Sequence, residues 1–438
     1  MTTTTLKRSP FSRLSARLAA IPLPRLRRAL LALYLLVAAA DATGKALATN
    51  PRVNATVRDL VGERGNAQLR HAERPSGNFE IFRAASRHLV AGQDLYAEYP
   101  AEHTDRFKYS PTFALLFAPL AWIPWPVALF LWSALNALLL FVAVEKVLPH
   151  RRALLAMGLL LLEVLRGMQN AQSNALVAAL IVLAFAWTER RRQWSTAFAV
   201  GLGACVKIFP LAALTFAVPR RRALSTGLAA GAVGVVLLML PLALLSPAAL
   251  AAQYASWTVV EAGDAQQRWF SAMELLHRIT GVALPNWPLQ LLATAALLAP
   301  LAIRRERWDD ARFRLLYLCS VLLYVVLFNH QAERASYLIA FTGATIWFTA
   351  EPRPRWRTAL YGLAALTMPV MSTLVPGEVI RTPAMMTVRL ALPCLAIWLV
   401  IQRELLLRAP RAARSTEEEL AASDEPGVEV DLDVALQR

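Results

Sequence analysis

The chain has 438 residues, of which 57% are hydrophobic and only 17% charged, with a formal net charge of +16. A mean hydropathy of +0.43 excludes an ordinary soluble globular domain. The positive charge does not indicate nucleic acid, because the basic residues sit in short clusters beside apolar runs, where they mark cytoplasmic helix ends.

Apolar runs long enough to cross about 30 Å of hydrocarbon recur from Arg28 to Leu407. They show no strand-like alternation, and backbone groups in lipid must bond internally. The expected fold is therefore an all-α polytopic membrane protein with about 10–12 transmembrane helices. Cys205, Cys319 and Cys394 all lie inside apolar runs, so they read as small core residues rather than a disulfide or metal framework.

In chain order, residues 1–26 form a basic cytoplasmic N-terminus, and a single transmembrane domain spans residues 27–407. Ala46-Leu47-Ala48 resembles a signal-peptidase site, yet the first helix, Arg27–Ala48, is read as uncleaved and running outward. An outer loop follows, from about residue 49 to 110. Thr112–Ile123 is too short to cross and is bracketed by Pro111, Pro119, Pro124 and Pro126, so it reads as a re-entrant or interfacial helix. Val127–Val147 returns, Ala153–Arg166 goes out and Ser173–Thr188 comes back. Ser195–Val218 has Arg clusters at both ends, which predicts a short helical hairpin turning at Lys207-Ile208-Phe209-Pro210. Ala223–Leu245 then goes out to a second outer loop, 246–285. Trp287–Ile303, Phe313–Phe328, Ala335–Ala350, Thr358–Leu374 and Thr387–Leu407 complete the path, ending inside. The tail, 408–438, is acidic, poor in aromatics and expected to be disordered in the cytoplasm.

On this path several polar clusters face one side: the first loop, Gln169–Asn174, Lys207, Gln266–Arg268, His330–Arg334 and Pro376–Arg381. Ionisable groups at a membrane edge are costly without a task. Taken singly, Glu80, Asp94, Glu98, Glu102 and Asp105 read as solvated charges paired with nearby Arg residues. As a set beside Phe107-Lys108-Tyr109-Ser110-Pro111 they suggest a site, with Glu102 and His103 close enough in sequence to hydrogen-bond. Lys108 can snorkel or meet an anionic headgroup. Ser173 or Asn174 can cap a helix, but capping does not need the four amides Gln169, Asn170, Gln172 and Asn174, and neutral donors and acceptors suit hydroxyl-rich ligands. Lys207 inside an apolar hairpin either snorkels or balances an anion such as phosphate. Glu333 and Arg334 can form a structural pair, whereas His330 between two amides, Asn329 and Gln331, is harder to explain that way. Asp309-Asp310 reads as a solvated pair at a helix start. No Gly-rich phosphate loop or metal-ligand spacing occurs, and no cofactor is indicated.

Phe79 to Phe82, Asp94-Leu95-Tyr96, Lys108-Tyr109-Ser110-Pro111 with Phe113 to Leu116, Leu131-Trp132 with Leu135-Asn136, Gln169 to Asn174, and Lys207 with Pro210 occur in that order. This series resembles the polyprenyl-phosphate-mannose-dependent mannosyltransferases of glycosyltransferase family 87, which have a GT-C membrane fold. The likeness covers about Leu30 to Leu407 and is greatest to a bacterial subgroup with the patterns seen here from Glu102 to Pro111 and from Phe328 to His330. One departure matters. Family members usually carry an Asp, the presumed base, where this chain has Asn78.

The resemblance implies transfer of a mannose-like hexose from a polyprenyl-phosphate donor to a glycolipid or glycan acceptor. It places the site on the extracytoplasmic face of a bacterial inner membrane. A lipid-phosphate donor has a good leaving group, so the needs are a carboxylate for the acceptor proton and cations for the departing phosphate. Asp105 and Glu102, then Glu80, are the candidate bases, with His330 as an orienting partner. Lys108, Lys207 and Arg268 are the candidate cations, and Asn78, Tyr109, Gln169, Asn170, Asn174 and Asn329 complete the expected substrate-binding set. A lipid-linked sugar flippase or transporter would use the same basic cavity without a base, and an inactive family member would have lost its base at Asn78.

Overall fold

The computed structural model describes residues 22–50, 77–103, 105–350, 354–375 and 382–407. The basic leader before Pro22, most of the first outer loop before Gly77, the 376–381 cluster and the acidic tail lie outside the described residues. Among those residues the chain is helical and contains no strand. Five helices, Leu23–Ala48 (α1), Trp125–Glu145, Ala223–Ala243, Asn286–Ile303 and Pro383–Leu406, are long and apolar enough to cross a membrane. The protein is an all-α polytopic membrane protein.

Local sequence explains most helix starts. Ser110, Ser246 and Thr382 each stand before a Pro, and each side-chain oxygen accepts the backbone N–H three residues on. The hydroxyl satisfies an orphan donor, while Pro at the first helical position loses a hydrogen bond it would not have made. Within the first outer segment, Gly77–Val90 forms a helix (α2). The Pro-bracketed segment forms the 12-residue helix Pro111–Trp122 (α3), followed by Trp125–Glu145 (α4). His150–Gln169 (α5) and Asn174–Glu189 (α6) come next.

Gln193–Val206 (α7) stops at Lys207, whose backbone is extended, and a 3₁₀ helix runs from Phe209 to Ala217. Pro210 folds back against α7 so closely that a Cβ at Gly203 would stand 2.7 Å from the proline ring. This is the hairpin anticipated from the paired Arg clusters. Ala223–Met239 (α8) then leads to the 246–285 segment, expected from the sequence to be a loop. It is largely helical: Pro247–Asp264 (α9) and Ala272–Thr280 (α10). The remaining helices are Asn286–Ile303 (α11), Ala311–Leu327 (α12), Tyr337–Ala350 (α13), Arg355–Ala365 (α14), which passes through a π-turn at Leu366–Val370, and Pro383–Leu406 (α15).

The core centres on α6, α12 and α13, which are apolar around most of their circumference and almost entirely buried. Gly343 lets α13 meet α12 backbone to backbone, since an added Cβ would lie 2.9 Å from the Cys319 carbonyl. By contrast, α8 and α11 turn Leu224, Val236, Leu291 and Leu292 outward, each more than 60% exposed. On a membrane protein such a face suits lipid. All three cysteines are buried, and none forms a disulfide among the described residues.

Ion pairs collect the basic clusters at one end of the bundle. Arg27 meets Glu145 at 2.7 Å, Arg220 and Arg314 share Glu189, and Arg357 meets Glu404 at 2.6 Å. Asp310 caps α12 through the Arg312 N–H, consistent with its reading as a helix-start residue. Towards the other end, Arg334 makes a bidentate contact of 2.8 and 2.9 Å with Glu163, whose side chain is completely buried. Arg334 therefore pairs across the bundle rather than with its neighbour Glu333. Removing one partner strands the other charge away from water. Glu163→Gln is expected to destabilise the fold by about 3–5 kcal/mol, read as a lowered melting temperature of the purified protein in detergent.

Candidate active site

The Lys-Tyr-Ser-Pro sequence builds one wall of the site through its serine. Ser110 caps α3, and its hydroxyl and backbone N–H both donate to the Cys205 carbonyl, at 2.7 and 3.3 Å. That contact joins the start of α3 to the end of α7, bringing Lys108 and Lys207 to the same space although 99 positions separate them. Tyr109 lies edge-on to Phe82 and stacks on Phe113, with ring centroids 4.9 and 4.8 Å apart. The Gly92 to Tyr96 stretch is clamped from α9, where Gln253 accepts the Leu95 N–H and donates to the Gln93 carbonyl.

These elements enclose a cavity of about 370 Å³. Of the expected catalytic and substrate-binding residues, Asn78, Asp105, Lys108, Tyr109 and Lys207 line it. Lys207 donates to Asn174 Oδ1 at 3.1 Å, and Asn174 donates in turn to Gln172 Oε1 at 3.2 Å. Asn174 thus holds the lysine, while Gln172 reaches the cavity wall. Lys108 donates to Asp264 Oδ2 at 2.8 Å, so it is paired within the protein rather than snorkelling. Burial by itself would lower Lys108, but Asp264, Asp105 and Glu333 together hold its ammonium above the ordinary range.

The other predicted residues stand elsewhere. Glu80 accepts from the Trp125 indole, and Glu102 lies 3.2 Å from His88 Nε2, not against His103. His103 instead places Nδ1 2.6 Å from the Asp105 carbonyl. Arg268 donates to the Leu284 carbonyl. The Gln169 carbonyl accepts from Lys45, and Asn170 turns its amide back to the Arg166 carbonyl, so the two cap the end of α5. Asn170 still touches the site indirectly, its carbonyl accepting from Asn78 at 3.1 Å. Ser173 does not cap α6 with its side chain, which meets the Tyr109 hydroxyl. Asn329 accepts the Gln331 N–H, and both Asn329 Nδ2 and His330 Nε2 are buried without a hydrogen-bond partner among the described residues. Burial holds His330 below its ordinary value despite nearby Asp264.

Sequence reasoning missed Glu261 and Asp264, which share the cavity wall with Gln331 and Glu333 of the 330–334 cluster. Gln331 donates to Asp264 at 3.2 Å and Gln267 to its other oxygen at 2.8 Å, while burial raises Glu261 above the ordinary carboxylate range. A signal was present. Ser246-Pro247 is a helix start, and Trp257, Glu261 and Asp264 then recur at helical spacing on one face.

A second cavity of about 660 Å³ adjoins the first, and Asp105, Arg106, Lys108 and Asp264 line both. Asp264 is committed to Lys108, Gln267 and Gln331. Among the described residues, the Asp105 carboxylate accepts the adjacent Arg106 N–H alone. It is therefore the shared carboxylate with hydrogen-bonding capacity to spare.

The fold is that of a multi-pass helical membrane protein with a polar cavity among its helices. The chain belongs to glycosyltransferase family 87, whose family model matches residues 107–329. It is also 29% identical over 171 residues to the polyprenol-phosphate-mannose-dependent alpha-(1-2)-phosphatidylinositol mannoside mannosyltransferase of Mycolicibacterium smegmatis. That match covers 33% of this chain and 38% of the relative, less than half the length of either. Lys108, Tyr109, Lys207 and Asp264 fall inside the family match, whereas Asn78 and Asp105 precede it.

Proposed function

We propose that the protein is a hexosyltransferase that moves a mannose-like sugar from a polyprenyl-phosphate donor to a glycolipid or glycan acceptor. The observation that carries this reading is one cavity holding Lys108 and Lys207, joined to a second at Asp105. The donor phosphate lies against the two ammonium groups. The acceptor oxygen attacks the anomeric carbon as that carbon's bond to the phosphate oxygen breaks, its electron pair leaving on the polyprenyl phosphate. The acceptor proton passes to the Asp105 carboxylate and then to water. The amide of Asn78 cannot take that proton, and it instead supplies a donor to the Asn170 carbonyl.

The site faces the outside of a bacterial inner membrane, with both termini in the cytoplasm. Grouping of the basic clusters at the opposite end of the bundle supports this orientation. Cysteine-accessibility labelling on intact cells should mark a cysteine placed at position 263 and spare one at position 191; the reverse pattern would invert the topology. For the activity, the purified protein is incubated with radiolabelled polyprenyl-phosphate hexoses and a lipid extract. Label should move to a new product, and no movement from any hexose donor would reject the transferase.

A further inference from the structure

We infer that residues 279–287, between α10 and α11, are not a loop in water but a membrane anchor. Their apolar side chains sit in the lipid leaflet on the side of the two cavities. This stands apart from the transferase reading and holds whatever the site does. From 279 to 303 the chain has no Asp, Glu, Lys, Arg or His, and Arg278 and Arg304 frame that run. Its helical part, Asn286–Ile303, has 18 residues. Such a helix rises about 27 Å, short of the roughly 30 Å of a hydrocarbon core. The uncharged residues ahead of the helix make up the difference.

Exposure and backbone bonding point the same way. Ile279, Val282, Leu284 and Trp287 are 72, 52, 51 and 62% exposed. In water that surface is unfavourable, whereas in lipid it continues into Leu291 and Leu292, which α11 turns outward. Trp287 stands in the first turn of a spanning helix, where the indole suits the lipid–water boundary. Gly281, at a φ of 72°, ends α10. Its N–H donates to the His277 carbonyl at 2.8 Å, that of Val282 to the Thr280 hydroxyl at 3.2 Å, and that of Leu284 to the Val282 carbonyl at 3.2 Å. Pro285 has no N–H to satisfy. Irregular backbone is tolerated in lipid only where its polar groups find partners inside the protein. At the rim, Arg278 is matched by Glu274 at 2.7 Å. The turn is also tied to the cavity wall. Arg268 donates to the Leu284 carbonyl at 2.9 Å, and Asn286 to the Ala265 and Gln267 carbonyls at 3.1 and 2.9 Å. Gln267 in turn holds Asp264, the partner of Lys108.

The test is a depth measurement on the full-length protein in phosphatidylcholine nanodiscs. Ile279→Cys and Val282→Cys are made singly and labelled with the fluorophore NBD. Both side chains point away from the core, so the melting temperature should stay at the wild-type value. Wild type, whose three cysteines are buried, supplies the labelling background. Two quenchers are compared: iodide in the water, and phosphatidylcholine carrying a nitroxide near the top of its acyl chain. At both positions iodide should quench about fivefold less than it quenches free NBD-cysteine, and the nitroxide lipid should remove about half of the emission. Iodide quenching equal to that of free NBD-cysteine, with no effect of the nitroxide lipid, would place the stretch in water and overturn the proposal. Protection from both quenchers would also overturn it, by assigning the surface to a protein contact, whether within the chain or with a second copy.

Discussion

Asp105→Asn is expected to lower sugar transfer by about 10²–10⁴-fold with donor binding retained. The base must reach a hydroxyl entering from one side and a sugar held on the other, so it has to line both cavities. Asp105 and Asp264 are the carboxylates that do so, and Asp264 is engaged by Lys108, Gln267 and Gln331. Glu333 lines only the first cavity, where its field falls on Lys108 and Tyr109. Glu102→Gln and Glu80→Gln should change the rate far less, because these side chains are held by His88 and Trp125 outside the first cavity. Turnover of the variants in liposomes decides the matter. Near wild-type transfer by Asp105→Asn would remove the residue from the reaction, and a larger loss in Glu80→Gln would move the base to α2.

The second large effect is expected at Lys207. Loss of a charge-assisted phosphate contact costs about 1.5–3 kcal/mol, so Lys207→Ala should weaken donor binding and transfer by roughly ten- to more than a hundredfold. Its partner Asn174 is a neutral amide, which can be left without the lysine more cheaply than a carboxylate can. Expression and melting temperature should therefore stay near wild type. Lys108→Ala should lower transfer by a similar factor, but it also strands Asp264 on α9, so part of its effect will be a loosened outer helix. Donor titrations with both variants provide the check. Unchanged donor affinity and turnover in both would defeat the phosphate assignment.

Much of the architecture was legible in the residue order because its causes are local. Apolar runs of spanning length, Pro after a capping hydroxyl, and basic clusters beside the spans fix helix identity and ends through hydration, backbone bonding and steric exclusion. These act over a few residues. The break at Lys207 and the short helix after Ser110 were readable for the same reason, and so were Lys108 and Lys207 as unusual charges at the membrane edge. Charge partnership, by contrast, depends on distance through space. Neighbours in sequence were the wrong guide for Glu102 with His103 and for Glu333 with Arg334, whose actual contacts lie with His88 and Glu163. Glu261 and Asp264 looked like ordinary polar residues of an outer loop until α9 packed its Trp257 face over Lys108. The sequence alone determined a helical membrane protein with lysines at unusual positions beside its apolar runs. Only the tertiary structure decided which carboxylates line both cavities, because that depends on how segments far apart in sequence pack together.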